Sequence, residues 1–287
     1  MDPLAGMLAA LDLVDTGART SEDIFTGPPQ WNPGGRLFGG QVLAQSVVAA
    51  TRTAPEGRSI HSMHAYFLRP GDTEATLTLS VDRIHDGRSF STRRTQAYQH
   101  GVPILSMIAS FQTEDEGLDH QATMPEGLPQ PEDLPDERSA LAEVDHPMAR
   151  YWAASRPFDM RHVGTPVFLS AAEDRVAHQA VWLKATGPLP EDPALHRAAL
   201  AYASDYTILE PVLRRHGAAW GTPGLKVASL DHAMWWHRPV RVDEWLVYVQ
   251  ESPSAAGGRG LSLGRIFTRD GLLVASVAQE GMVRLPR

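Results

Sequence analysis

The residue types that could do chemistry are few, because the chain contains no cysteine. Disulfides, thiolate metal ligands and cysteine nucleophiles are all removed at once. Among the acids, Asp205 stands out, set in the apolar run Ala199-Leu200-Ala201-Tyr202-Ala203-Ser204-Asp205-Tyr206. A carboxylate with such neighbours either caps or ends a helical turn, or stands in a partly dry cleft as a general base. Composition alone favours the first. Ser229 and Gln279 are polar residues within apolar segments and are individually unremarkable.

Two other patterns resemble sites and fail on chemistry. Gly260-Leu261-Ser262-Leu263-Gly264 has the Gly-x-Ser-x-Gly form of a nucleophile elbow, which needs a sharp strand-to-helix turn with an acid and a His downstream. No His follows His237, and Leu261, Leu263 and Ile266 continue as a strand. His61 and His64, three apart on a strand, are expected on opposite faces and so cannot chelate. There is no His-Glu-x-x-His, no Asp-rich calcium loop and no Gly-rich phosphate loop, so neither a metal nor a cofactor is expected.

The elements that must position these residues come twice. His64-Ala65-Tyr66-Phe67-Leu68-Arg69-Pro70 returns as His232-Ala233-Met234-Trp235-Trp236-His237-Arg238-Pro239, an offset of 232 − 64 = 168. Gly87-Arg88 against Gly258-Arg259 and Gly101 against Gly271 keep offsets of 171 and 170. A unit this long is a domain, not a solenoid repeat. In the first copy Leu4–Leu13 has the spacing of a short amphipathic helix. After a loop rich in Gly and Pro, Leu37–Arg52 is apolar on most sides and reads as a buried helix. Residues 61–67, 76–84, 90–99 and 102–112 read as strands, with Asp86-Gly87 and His100-Gly101 as hairpin turns. The second copy reads as strands over 163–172 and 179–186, a helix over 196–213, then strands over 226–236, 245–251, 260–268 and 272–284. Between them lies a proline-rich, acidic stretch, with room for a short helix near 140–154. The expected organisation is an N-terminal domain over 1–115, a linker over 116–157 and a C-terminal domain over 158–287. The fold class is α+β, each antiparallel sheet wrapped on a long helix.

With 287 residues, each half is large enough to bury its own core. The net charge of −8 argues against a nucleic-acid partner or an anionic membrane surface. No stretch approaches the ~20 apolar residues of a membrane span. The first Lys or Arg is Arg19, so Leu4–Leu13 is not expected to be a secretory signal, and Leu285-Pro286-Arg287 is not a peroxisomal address. A cytoplasmic protein is expected.

Several motifs, in fixed order, resemble one family. They include Leu37-Phe38-Gly39-Gly40-Gln41, His64 to Asp72, Asp86-Gly87-Arg88-Ser89-Phe90, Ala109-Ser110-Phe111-Gln112 and His120-Gln121 in the first half. In the second half they include Tyr202-Ala203-Ser204-Asp205, Asp231-His232-Ala233-Met234-Trp235, His237-Arg238-Pro239, Glu244-Trp245, Asp270 to Ser276 and Gln279-Glu280-Gly281. Over residues 20–284 the chain is similar to the type II acyl-CoA thioesterases of the TesB kind. That resemblance implies a double hotdog, two tandem antiparallel sheets each wrapped around a central helix. It implies hydrolysis of acyl-CoA without a covalent intermediate, in fatty acid and lipid metabolism. The family's catalytic Asp, Thr or Ser, and Gln fall on Asp205, Ser229 and Gln279; Ser229 keeps the hydroxyl and loses the methyl. Acyl-CoA is the implied partner, with Arg69, Arg88, Arg93, Arg94, Arg259 and Arg265 as candidates for its phosphates and Met234, Trp235 and Trp236 for its acyl chain. Association into a homo-oligomer is also expected. The competing readings are a double-hotdog enoyl-CoA hydratase, which would want an Asp and His pair, and a non-catalytic acyl-CoA-binding protein.

Overall fold

Val42, Leu43, Val47, Ala49 and Ala50 make one helix apolar on most sides, and its Gln41, Gln45 and Ser46 are buried as well, so the helix is stable only when enclosed. The computed structural model describes residues 2–19, 21–142, 144–168 and 170–286. The first elements are α1 (Pro3–Leu11), β1 (Val14–Arg19), β2 (Glu22–Gly27), α2 (Gly39–Thr51), β3 (Arg58–Phe67), β4 (Leu77–Asp86), β5 (Phe90–Gln99) and β6 (Val102–Thr113). There follow α3 (Glu137–Ala142), α4 (Pro147–Ser155), β7 (Phe158–Val163), β8 (His178–Ala185), α5 (Pro193–Ser204) and α6 (Glu210–Arg215). Then come β9 (Lys226–Ser229), β10 (Asp231–Trp236), β11 (Leu246–Ala256), β12 (Arg259–Thr268) and β13 (Leu273–Arg284).

These elements form two compact units that interleave along the chain. The first comprises Met1–His120, Pro190–Tyr206 and Ala233–Pro239; the second comprises Gln121–Leu189, Thr207–His232 and Val240–Arg287. In the first, the antiparallel strands run β1-β2-β4-β5-β6-β3, with Ala233–Trp236 of β10 beside β3. Their inner face carries Leu77, Leu79, Val81, Ala97, Leu105, Met107, Ala109 and Phe111, all buried, against α2. Each large side chain so enclosed contributes roughly 1.5–3 kcal/mol. The hairpin turn at His100 and Gly101 has φ of 50° and 74°, the left-handed geometry of a tight β-turn. In the second unit the order is β13-β12-β11-β8-β7, with β9 also paired to β13, and α6 lies on β8, β11 and β12.

Five expectations change. The helix expected over 196–213 is two helices, α5 and α6, separated by residues 205–209. Pro211, in the first turn of α6, has no N–H and would strike the carbonyl of Thr207 in a continuous helix. The strand expected over 163–172 lies earlier, as β7, and ends at Gly164, where φ is +100°; Leu169 of that span is outside the described residues. The segment after α1, read as loop, holds the hairpin β1–β2, whose alternation is hidden because a buried acid, Asp23, takes one inward position. The helix expected near 140–154 is α3 and α4, broken where Pro147 begins the second. His61 and His64 share the outer face, because a bulge between Ile60 and Ser62 shifts the alternation by one. His61 Nε2 lies 2.8 Å from Ser110 Oγ, and the His64 ring meets Trp235 edge-on, so neither faces a metal. Among the described residues, no group of His, Asp and Glu could hold a metal ion, and no helix is long and apolar enough to cross a membrane.

Candidate active site

Asp205 ends α5 and does not sit within it. Asp192 caps the start of that helix, its carboxylate accepting from Ala194 N at 2.9 Å. At the other end Asp205 is the C-cap, with its N–H donating to the Ala203 carbonyl and its side chain half-buried. The carboxylate reaches α2: a methyl group on Gly39 would lie 2.6 Å from Asp205 Oδ2 and 3.0 Å from the Phe67 ring. Gly40 is equally constrained, since a side chain there would strike the Tyr202 carbonyl. The Gly39-Gly40 pair is what lets the two helix ends approach. Phe38, at the N-cap of α2, makes no side-chain capping bond, so the first-turn N–H groups keep the partial positive charge of a helix start. Its ring stacks on Tyr206 at 4.5 Å and meets Tyr202 edge-on at 5.2 Å. The Tyr202 hydroxyl donates to Gln30 Oε1 at 2.8 Å, which fixes this cluster.

In the second unit, Ser229 and Gln279 come together. Gln279 projects from the inner face of β13 and is 1% exposed, and its Nε2 donates to Ser229 Oγ at 2.9 Å. Ser229 ends β9, in register with Gly281. The strand expected over 226–236 is broken at Leu230, whose N–H donates to the Glu280 carbonyl at 2.9 Å, while Asp231 Oδ1 accepts from Glu280 N at 2.7 Å. Because of that break, Ser229 and His232 both reach Gln279, although three apart. His232 is fully buried and its Nδ1 is hydrogen-bonded to Gln279 Oε1. Burial drives its pKa down to about 4, against the opposing pull of the Gln279 bond. Read from sequence, His232 is a satisfied core histidine; that its partner is Gln279 had no signal in the spacing. Ser262, the decoy, sits on β12 opposite Gln279, buried and inward-facing, with no elbow turn.

A carboxylate that the sequence reading passed over is also here. Glu210 is fully buried and accepts from Gln179 Nε2 at 2.8 Å and Trp220 Nε1 at 3.0 Å, with His162 Nε2 at 3.1 Å. Burial alone would raise its pKa, but His162 and the two donors hold it below the ordinary carboxylate value. Of the arginines considered for phosphate binding, Arg93 is removed: it is fully buried and spends its guanidinium on Asp86, Thr53 and the carbonyls of His85 and Thr92. Arg94, Arg259 and Arg265 lie in surface ion pairs, and Arg69 donates to the Pro103 carbonyl. Met234 and Trp236 are buried in packing. Two cavities of about 300 and 190 Å³ in the second unit, one walled by Glu137, Trp152 and Arg156 and the other by Val212, Leu213 and Ala255, include neither Ser229 nor Gln279.

Comparison with known proteins finds relatives that cover most of the chain. Residues 27–112 match the family described as acyl-CoA thioesterase N-terminal domain, and residues 159–282 match that described as acyl-CoA thioesterase. The chain is 39% identical to acyl-CoA thioesterase 2 of Haemophilus influenzae, over 91% of this chain and 92% of that one. It is 38% identical to human acyl-coenzyme A thioesterase 8, over 92% and 85% of the two chains. The crystal structure of an acyl-CoA thioesterase II, TesB2, from Mycobacterium marinum superposes with a TM-score of 0.80 at 43% identity, covering 98% of both chains. A hot dog protein from Alicyclobacillus acidocaldarius, 19% identical, shares the fold with a TM-score of 0.79. With both halves matched and the same double-hotdog architecture in solved relatives, the chain belongs to the type II acyl-CoA thioesterase family.

Proposed function

We propose that this acyl-CoA thioesterase cleaves its substrate by direct attack of water, with Asp205 as the general base and Ser229 and Gln279 holding the water. The water oxygen bonds to the thioester carbonyl carbon as Asp205 takes one of its protons. The tetrahedral intermediate then expels the sulfur, and the proton passes from Asp205 to the thiolate, leaving a free acid and CoA-SH. A thioester carbonyl is electrophilic enough that an oriented water suffices, so no cysteine or triad is needed. The observation that carries this reading is the 2.9 Å bond from Gln279 to Ser229, which ties two of the three residues into one polar pair. The position of Asp205 against Gly39 adds a helix N-terminus, whose N–H groups are suited to a developing oxyanion.

The proposal carries a setting with it: a cytoplasmic homo-oligomer in fatty acid metabolism, with acyl-CoA as its small-molecule partner. Absence of cysteine supports the first, and the exposed Tyr66, Phe90 and Ile108 on the outer sheet face of the first unit support the second. The test is release of free thiol from acyl-CoAs of graded length. Asp205→Asn is expected to lower kcat/KM about 10²–10⁴-fold with the melting temperature nearly unchanged. Near-normal turnover in that variant defeats the assignment of the base.

A further inference from the structure

A glutamine side chain has an acceptor at one end and a donor at the other, so the way it is turned decides what its neighbours can offer. Gln279 is turned with Oε1 toward His232 and Nε2 toward Ser229. An amide oxygen cannot donate. The hydrogen of the bond to His232 therefore belongs to the imidazole, on Nδ1. In the opposite arrangement Nδ1 would accept from the amide nitrogen, and Ser229 would spend its one hydroxyl hydrogen on Oε1.

We propose that His232 is a positioning residue for the hydrolysis: as the neutral Nδ1–H tautomer it holds the Gln279 carbonyl, so that Ser229 accepts from Gln279 and directs its own hydroxyl hydrogen elsewhere, toward the reacting groups. The consequence for the reaction rests on the reading of Ser229 and Gln279 as the residues that hold the water; the tautomer does not. The geometry behind it is rigid. Leu230 and Asp231 tie the β9–β10 break to Glu280, the neighbour of Gln279 on β13, by bonds of 2.9 and 2.7 Å. Both His232 and Gln279 are buried, where a hydrogen bond is stronger than in water. Burial also keeps the ring uncharged at neutral pH.

The experiment uses the full chain. Two variants separate the hydrogen bond from mere packing: His232→Leu has no donor, whereas His232→Asn places an amide nitrogen close to where Nδ1 was. His232→Leu is expected to lower kcat about 10- to 100-fold with KM changed less than about twofold, and His232→Asn to recover to within about fivefold of the parent. Ring ¹⁵N–¹H correlation spectra of the unsubstituted protein are expected to place the His232 proton on Nδ1, a readout that stands even where a variant fails to fold. A proton on Nε2 alone overturns the proposal. So does full turnover in His232→Leu, or equal loss in both variants with equal loss of thermal stability. If instead Asp205→Asn stays active while the Nδ1 proton is seen, the reading of the base fails and the tautomer survives.

Discussion

On β5, Arg94 reaches Asp82 of β4 at 3.1 Å; on β12, 265 − 94 = 171 residues later, Arg265 reaches Glu251 of β11 at 3.0 Å. One residue earlier the two copies part. Arg93 points inward, fully buried, whereas Gly264, at the same offset of 171, has no side chain because Tyr248 fills the space above it. The next strand repeats the contrast: Ala109 is a buried apolar residue, and 279 − 109 = 170 residues on stands Gln279, bonded to Ser229 and His232. His64 and His232 head the same motif, yet the first is exposed and the second enclosed. The outer faces thus preserve the duplication, and the inner faces do not. Outward ion pairs are cheap to keep, because water accommodates them in either copy. Inward polar groups survive only where partners exist, so each is particular to its unit.

The comparison breaks most visibly at Arg93. If this inward arginine is structural and the second copy's inward amide is chemical, stability and turnover should respond oppositely to their loss. Arg93→Met leaves the Thr53 and His85 carbonyls without the arginine donor and takes one partner from Asp86, which keeps Ser91, and is expected to cost about 3–5 kcal/mol while kcat in the surviving folded enzyme stays within about twofold. Urea denaturation and thiol release on one preparation measure both. A large fall in kcat with unchanged stability would place Arg93 in the chemistry and erase the distinction.

How far the sequence leads differs between fold and site. Strand alternation, the mostly apolar helix and the Gly turns made the first copy readable, and the long offset exposed the second. The hairpin β1–β2 stayed hidden because Asp23 occupies an inward position through a bond of 2.7 Å from Arg83, a pairing that no local pattern announces. The candidate site was readable only in part. Asp205 and Glu210 are both acids in apolar surroundings five residues apart, and by composition they are equals. Packing separates them: Glu210 is closed in among His162, Gln179 and Trp220, while Asp205 is half-buried at a helix end beside a bare glycine. That distinction depends on residues up to 166 positions away (205 − 39), which is why the apolar run marks Asp205 only as a candidate and the resemblance to a family is what favours it as a base.

His232 offers a second and smaller break between the copies. Above the ordinary value of 6.5 the ring is neutral in both folded and unfolded chains. Between 6.5 and about 4 the unfolded chain takes up a proton that the folded chain refuses. The stability tied to its burial is therefore complete above pH 6.5 and lost as pH falls toward 4, by up to about 3 kcal/mol. Urea midpoints at pH 7 and 4.5 should fall further in the parent than in His232→Asn. Parallel falls would show that the acid sensitivity arises elsewhere.

The smallest effect belongs to the outer ion pairs, where the copies are expected to agree. Arg94 and Arg265 are 44% and 43% exposed in their side chains, so solvent and salt screen the attraction to Asp82 and Glu251. Arg94→Ala and Arg265→Ala should each lower stability by less than about 1 kcal/mol, and raising the salt concentration should shrink both losses together. Turnover supplies the discriminating measurement, since both were candidates for the CoA phosphates. If one variant alone raises KM for acyl-CoA, and does so less at high salt, that arginine meets the substrate and the outer faces have diverged as the inner ones have. If neither does, the symmetry of the outer face is architectural, and the asymmetry between the copies is confined to the residues turned inward.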